Sequence, residues 1–202
     1  MSKKNNITIM LKAGRLPIKI LDKVQELMHK YNLEFYFSTA QNLRLLNINE
    51  EDKEAVKAEL VAAGAEIRKK GRFPIPRICV GRPYCNFGLC DTRAISEKIL
   101  DHFQGRTVKA KIKIAVSACP ANCANAVATD IGIFATKGGL HIYAGGKGGP
   151  RPKAGRRIAK NVDEDAIIPI IEKLVDFHTA KTKKKQRMAK LLSDPEFPYP
   201  EV

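Results

Sequence analysis

The chain has 202 residues, 44% of them hydrophobic, which is enough apolar material for one domain or two small ones with cores of their own. This composition excludes a disordered or fibrous protein, and the formal charge of +15 makes an anion the natural partner. The opening MSKKNNITIMLKAG is basic, but its apolar run is short and interrupted by Thr8, and no segment approaches the roughly 20 apolar residues that span a bilayer. A cytoplasmic protein with reduced thiols and no membrane contact is expected.

In chain order, ITIMLK reads as a strand, and Pro17 opens a helix whose Ile18, Leu21, Val24, Leu27, Met28 and Tyr31 recur at helical spacing. Two strand-like runs follow, EFYFST and LRLLNI, separated by the polar turn AQN. A second helix starts near Asn49, with Glu50, Glu51 and Asp52 at its positive end, and stops at Gly64. AEIRKK then reads as a fourth strand. The order strand, helix, strand, strand, helix, strand is that of a ferredoxin-like α+β unit.

After GRFPIP the character changes, and glycine, proline, cysteine and basic residues gather. Asp91 or Thr92 caps a helix reaching about Phe103, and KIKIAV is a strand leading to Cys119. Pro120 suits the first turn of a short helix through Val127, while GIFAT and LHIYAGG form a hairpin. GGKGGPRPKAGRR is a loop of backbone donors and cations, followed by a helix from about Asp163 to His178. The expected division is a ferredoxin-like half-domain at 1–73, a second α+β domain at 74–180 and a basic tail at 181–202, whose last stretch LLSDPEFPYPEV packs as an extended strap or moves freely.

Between Arg106 and Lys160 the chain has eleven Lys and Arg against one acid, Asp130, and KTKKKQR adds a second basic run. Nucleic acid, an anionic cofactor and an acidic redox partner all fit such a charge. Aromatics at only 6% disfavour the stacking surfaces of nucleic-acid binders.

All five cysteines lie in two knots, RICVGRPYCNFGLC and ACPANC. Four uses are open. Zinc spaces paired ligands by two to four residues, which suits Cys119 and Cys123 but not Cys79 and Cys85. A nucleophile needs a base, and none of the four histidines carries a motif pointing to one. Thiols used only for packing would scatter through the core, not gather in Gly- and Pro-rich loops. An iron–sulfur cubane needs four thiolates arriving from different directions, which two bent loops can supply. Gly81 and Pro83 in one loop, and Pro120 with Ala121 in the other, permit the bends. A helix beginning at Pro120 would set Cys123 against its positive end. Cys90 is then a packed thiol beneath the helix cap or a substitute ligand.

CVGRPYC followed by ACPANC resembles the paired motifs CxxxxxC and CxxxC of the siroheme-dependent sulfite and nitrite reductases. AGRLPIKILDKVQELMHKY and STAQNLRLLNINEEDKEAVKAEL resemble the ferredoxin-like half-domain of that family, and GGKGGPRPKAGRR resembles its basic loop after the last hairpin. The fold implied is α+β, a ferredoxin-like half-domain followed by a siroheme/[4Fe-4S]-binding domain. The resemblance assigns Cys79, Cys85, Cys119 and Cys123 to the cluster, with Cys123 bridging to siroheme iron. It places Lys111, Lys113 and Arg77 at the substrate. Siroheme bears many carboxylates, so Gln41, Asn42, Arg44, Asn122, Gly145, Gly146, Lys147, Arg151 and Arg156 are the candidates to hold it.

The implied activity is six-electron reduction of sulfite to sulfide, with nitrite as the rival substrate and a cluster protein without turnover as a further alternative. The chain has no flavin or nicotinamide motif, so electrons are expected from an external donor, an acidic ferredoxin being one whose charge fits. The family fuses two repeats where this chain has one, which makes a symmetric homodimer an attractive arrangement. Two departures are the order CPANC, with Asn122 shifted by one, and Ala40 where one family repeat carries a substrate arginine.

Overall fold

The computed structural model describes residues 5–202 and divides between Lys69 and Lys70 into two units. In the first, β1 (Asn5–Ile9), β2 (Glu34–Phe37) and β3 (Leu43–Ile48) form an antiparallel sheet in the order β1-β3-β2. Alternation along β3 buries Leu43 and Leu45, which join Ile7 and Ile9 of β1 in the core. Helix α1 (Ile18–Tyr31) and helix α2 (Lys53–Ala62) complete that core with Val24, Leu27, Val56 and Leu60.

The apolar face of α1 follows the expected one at Val24, Leu27, Met28 and Tyr31 and departs from it at the start of the helix. Ile20, Val24 and Leu27, at i, i+4 and i+7, are buried, whereas Ile18 is 70% and Leu21 41% exposed. The expected fourth strand is also reduced. Ile67 makes a single antiparallel bridge with Ile9, bounded by the bonds Met10 N to Glu66 O and Arg68 N to Thr8 O. β1 ends at Ile9, and the Leu11 amide turns instead to the Asn42 side chain, so no longer ladder forms. This remnant still lies on the far side of β1 from β3, the position a ferredoxin-like order gives its last strand.

The second unit, Lys70–Val202, is built on a mixed five-stranded sheet in the order β4-β5-β6-β7-β8. The strands are β4 (Arg77–Ile78), β5 (Ile114–Ser117), β6 (Ile131–Thr136), β7 (Gly139–Ala144) and β8 (Arg156–Val162). β4, β5 and β6 run parallel, and β6, β7 and β8 antiparallel. All four residues of β5 are buried, as a strand covered on both faces requires. Helix α3 (Thr92–Phe103) starts at Asp91, whose carboxylate accepts the amides of Arg93 and Ala94, a cap worth about 1 kcal/mol. Its Ile95, Ile99 and Phe103 are buried, and Phe73 stacks on Phe103 with ring centroids 4.4 Å apart. Helix α4 (Ile167–Lys181) follows a single 3-10 turn and buries Ile171, Leu174 and Val175.

Two further expectations are corrected. Arg156 and Arg157, expected to end the basic loop, begin strand β8, which runs on through IAKNV, where no element was expected, and buries Ile158 and Ala159 within a mostly polar sequence. No helix forms from Pro120 to Val127. Asn122 and Asn125 adopt left-handed φ of 56° and 53°, and successive turns replace the helix. Asn carries local hydrogen-bonding alternatives that compete with a helix, and Asn122 uses them. The residues after α4 belong to the second unit, with Met188 and Leu191 buried. Among the described residues, no helix is long and apolar enough to cross a membrane.

Candidate functional site

Two neighbouring parallel strands deliver the two cysteine loops. β4 ends at Ile78 and passes into Cys79; β5 ends at Ser117 and passes through Ala118 into Cys119. Pairing of Ile78 with Val116 therefore sets the two loops side by side. The Ala118 amide donates to Cys79 Sγ at 3.1 Å, and the Leu89 amide donates to the Ala118 carbonyl at 2.8 Å. A backbone N–H aimed at sulfur is the kind of contact that tunes cluster potentials.

The first loop is braced internally. The amide of Cys85 donates to Gly81 O, that of Gly88 to Cys85 O and that of Arg82 to Cys90 O, while Arg82 Nε donates to Gly88 O at 2.7 Å. Gly81, at φ 59°, has no room for a side chain: a Cβ would lie 2.6 Å from Thr92 Oγ1, which itself donates to Cys79 O. The loop ties onto the start of α3, and Cys90 sits at that junction. Burial pushes the Cys90 thiol up to about 12, with nearby negative groups adding to it.

The second loop carries Cys119 and Cys123 and returns to β6 across the sheet. Ser117 Oγ accepts the Ala124 amide, and Asn122 Oδ1 accepts those of Ala126 at 2.6 Å and Val127 at 3.4 Å. Ala124 and Ala126 pack on Ala115 together with Cys79, so small side chains let the loop lie flat on β5. Gly132 allows the same approach on β6, where a Cβ would fall 1.9 Å from Ala126 O. Cys123 is exposed and the other four thiols are partly buried, all five free of disulfides. With no helix here, the expected dipole at Cys123 is absent; turns and side-chain caps present the residue instead.

Arg77 lies between the loops. Its Nε donates to Ala124 O at 2.8 Å and its Nη2 to Thr129 Oγ1 at 3.1 Å, and burial lowers its pKa. Lys113 precedes β5, and its carbonyl accepts the Ile131 amide. Although Lys113 as a residue is exposed, partial burial of its ammonium and then the Arg187 charge lower its pKa, making it a readier proton donor. Lys111 is exposed at a positive φ of 83°.

Gly145 and Gly146 follow β7, and the Gly145 amide donates to Asp130 O at 2.8 Å. Lys147 and Lys153 exchange both backbone bonds, closing the basic loop on itself with Arg151 exposed at its tip. Arg156 opens β8, donates to Leu192 O at 2.9 Å and lies over the Phe197 ring. Lys113, Asp130 and the Gly145–Gly146 turn thus gather at one end of the central strands β5, β6 and β7. Gln41, Asn42 and Arg44 belong to the first unit. Gln41 has φ 60° in the β2–β3 turn, Asn42 Oδ1 accepts the Leu11 amide at 3.2 Å, and Arg44 is half-buried on β3.

Two residues that sequence reasoning passed over stand out. Asp130 is wholly buried, and its Oδ1 accepts both Arg187 Nε at 2.7 Å and the Met188 amide at 3.0 Å. Asp130 carried a signal as the one acid in the basic stretch; Arg187 stood out only as the last cation of KTKKKQR. Among the described residues, no three Cys, His, Asp or Glu side chains converge closely enough for a single metal ion. A cubane asks for less convergence, since each thiolate takes its own iron.

Fold and site define an α+β iron–sulfur protein whose four candidate thiolates come from two adjoining loops. The chain belongs to the family of the nitrite and sulphite reductase 4Fe-4S domain, whose model matches residues 75–195, with the nitrite/sulfite reductase ferredoxin-like half domain matching 2–63. A [4Fe-4S] cluster with siroheme is the cofactor pair of that family. The chain is 30% identical to a nitrite reductase [NAD(P)H] of Emericella nidulans over 89% of its own length but 16% of that protein's. It is 28% identical to an assimilatory-type sulfite reductase of Nitratidesulfovibrio vulgaris, over 89% of this chain and 83% of that one. The structure of Mycobacterium tuberculosis NirA superposes with a TM-score of 0.72 at 22% identity, covering 93% of this chain and 37% of that chain, a likeness of fold.

Proposed function

We propose that this chain reduces sulfite to sulfide at a siroheme coupled to a [4Fe-4S] cluster held by Cys79, Cys85, Cys119 and Cys123. The observation that carries the reading is the Ala118–Cys79 contact, which joins two thiol-bearing loops at the ends of paired parallel strands. The donor set fits a cubane: four thiols outside disulfides, with one sulfur already accepting a backbone N–H. The buried Gly145–Gly146 turn opens the basic loop, whose Lys147 and Arg151, with Arg156 beyond it, supply cations suited to the carboxylates of siroheme, and Asn122 shapes the loop of Cys123. Gln41, Asn42 and Arg44 are assigned to the cofactor by the family resemblance.

When bound, the cofactor pair supplies the electron transfer. The chain's own residues supply charge and protons. Sulfite takes up six electrons and six protons, and its three oxygens leave as water. Lys111, Lys113 and Arg77 attract the anion, and the lowered pKa of Lys113 suits it to give up a proton at its Nζ. Sulfite is preferred to nitrite because the relative of comparable length is a sulfite reductase.

Electrons come from an external acidic donor. The bridge between Ala110 and Lys185 places two acid-free basic segments together, with Lys109 and Lys111 beside Lys183, Lys184 and Lys185. Such a surface steers a carboxylate-rich protein. Two copies pair as a symmetric dimer.

An anaerobic absorption spectrum with iron and siroheme extraction tests the reading. One cluster and one siroheme per chain, with sulfite turned over faster than nitrite, is expected. A folded, colourless protein would refute it; faster nitrite turnover would reassign the substrate, and cluster absorption without siroheme would favour an electron-transfer protein.

A further inference from the structure

Nothing in the proposed chemistry calls on the residues after Lys185, yet their contacts converge on one turn. Arg187 reaches two acceptors: Nε donates to Asp130 Oδ1 at 2.7 Å, and Nη2 to Gly146 O at 3.3 Å. The neighbouring Met188 amide donates to the same Asp130 oxygen, while Asp130 takes the Gly145 amide on its backbone carbonyl. One buried residue therefore grips the glycine turn with its main chain and the C-terminal segment with its side chain.

The turn has no slack. Gly145 sits at φ 76°, and a Cβ there would lie 2.6 Å from the Leu192 side chain; a Cβ on Gly146 would lie 2.2 Å from Val127 O. The second cysteine loop is below the turn and the C-terminal segment above it. Further along, Arg156 donates to Leu192 O, and Arg157 and Val202 exchange bonds through Arg157 Nε to Val202 O and Val202 N to Arg157 O.

We propose that Arg187 is a positioning residue: its guanidinium latches the C-terminal segment onto Asp130 and so fixes the Gly145–Gly146 turn that opens the basic loop. The latch requires arginine. Its planar fork offers nitrogens to two acceptors in different directions, whereas lysine offers one ammonium that can satisfy the carboxylate or the carbonyl. The consequence for siroheme rests on the function proposed above; the latch itself does not.

Hydrogen exchange by mass spectrometry on the whole protein tests it, comparing wild type with Arg187→Ala, Arg187→Lys and, as a control, Arg157→Ala. Both Arg187 variants should speed exchange across 144–149 by about tenfold or more while β5 and β6 stay protected. Arg157→Ala should leave the turn as in wild type. Bound siroheme per chain should fall in the two Arg187 variants. A turn as protected in Arg187→Lys as in wild type would show that a charge pair suffices and overturn the latch. So would exchange in Arg187→Ala that rises equally through the sheet; if that variant does not fold, Arg187→Lys decides. A wild type without siroheme would fail the proposed function and leave the exchange comparison intact.

Discussion

The Ala118 amide points at Cys79 Sγ from 3.1 Å, so the strand that supplies the second cysteine loop also supplies a hydrogen bond to the first. Parallel pairing of β4 with β5 makes this contact. Cys79, Cys85, Cys119 and Cys123 are the proposed ligands, whereas Cys90 is a half-buried thiol at the start of α3 whose pKa burial pushes up to about 12. Serine at any of the first four should abolish cluster absorption and remove most of the bound iron and sulfide. Cys90→Ser should retain both. Iron and sulfide analysis of anaerobically purified variants checks this, and loss of the cluster in Cys90→Ser would place that thiol among the ligands.

Asn122 should be hard to replace. Its left-handed backbone disfavours other side chains, and its Oδ1 holds the Ala126 amide. Asn122→Gly relieves the backbone and loses only the cap; Asn122→Ala loses both. Urea unfolding should show losses of about 1 kcal/mol for glycine and about 2 kcal/mol for alanine. Equal stability for all three would mean that the cap contributes nothing.

Gly132→Ala examines how closely the second loop lies on the sheet. A methyl there would overlap Ala126 O, so loop or strand must move, at a cost of about 3 kcal/mol. The loss should appear as a lowered unfolding midpoint together with loss of iron.

Arg77 has one role assigned by resemblance and another by its contacts. Arg77→Lys preserves the charge but cannot reach both Ala124 O and Thr129 Oγ1. If the brace is its main work, this variant should lose iron on dilution while its KM for sulfite stays near that of wild type. A raised KM with a stable cluster would assign Arg77 to the substrate.

Asp130 makes stability depend on pH in an unusual direction. Burial raises its pKa, opposed by the Arg187 and Met188 hydrogen bonds. Its Oδ2 has no hydrogen-bond partner among the described residues, which leaves the charge only partly compensated. An acid with a raised folded pKa binds more protons folded than unfolded, so its contribution to stability is greatest at low pH and declines as pH rises through that interval. The unfolding free energy of wild type relative to Asp130→Asn should therefore fall as the pH rises above the ordinary aspartate range. A difference that rises instead would mean the Arg187 pair outweighs burial.

Local signals were legible wherever neighbours in sequence are also neighbours in space. Asp91 caps α3 through amides two and three residues away, and β1, α1, β2, β3 and α2 follow from apolar periodicity and polar turns. The two thiol knots were legible because ligand spacing is a local property. The face of α1 was not legible over its first turn, because Ile18 and Leu21 fit a helical stripe as well as Ile20 does, and only the packing partner chooses. β8 was hidden for a related reason: a strand pairing with β7 through its backbone can carry four polar side chains among seven. At 120–127 a proline at the first turn suggested a helix, but the caps that prevent it involve Ser117 and Asn122 side chains.

From its residues alone, the chain declares two loops of paired thiols, a cationic surface and the repeating order of its first unit, because each is written in spacing and composition. The three-dimensional fold adds the relations between distant residues: β4 beside β5, Arg77 against Thr129, and Asp130 closed over by Arg187 from 57 positions away. Those contacts are decided by burial, since a carboxylate withdrawn from water must find its donors wherever the chain happens to bring them.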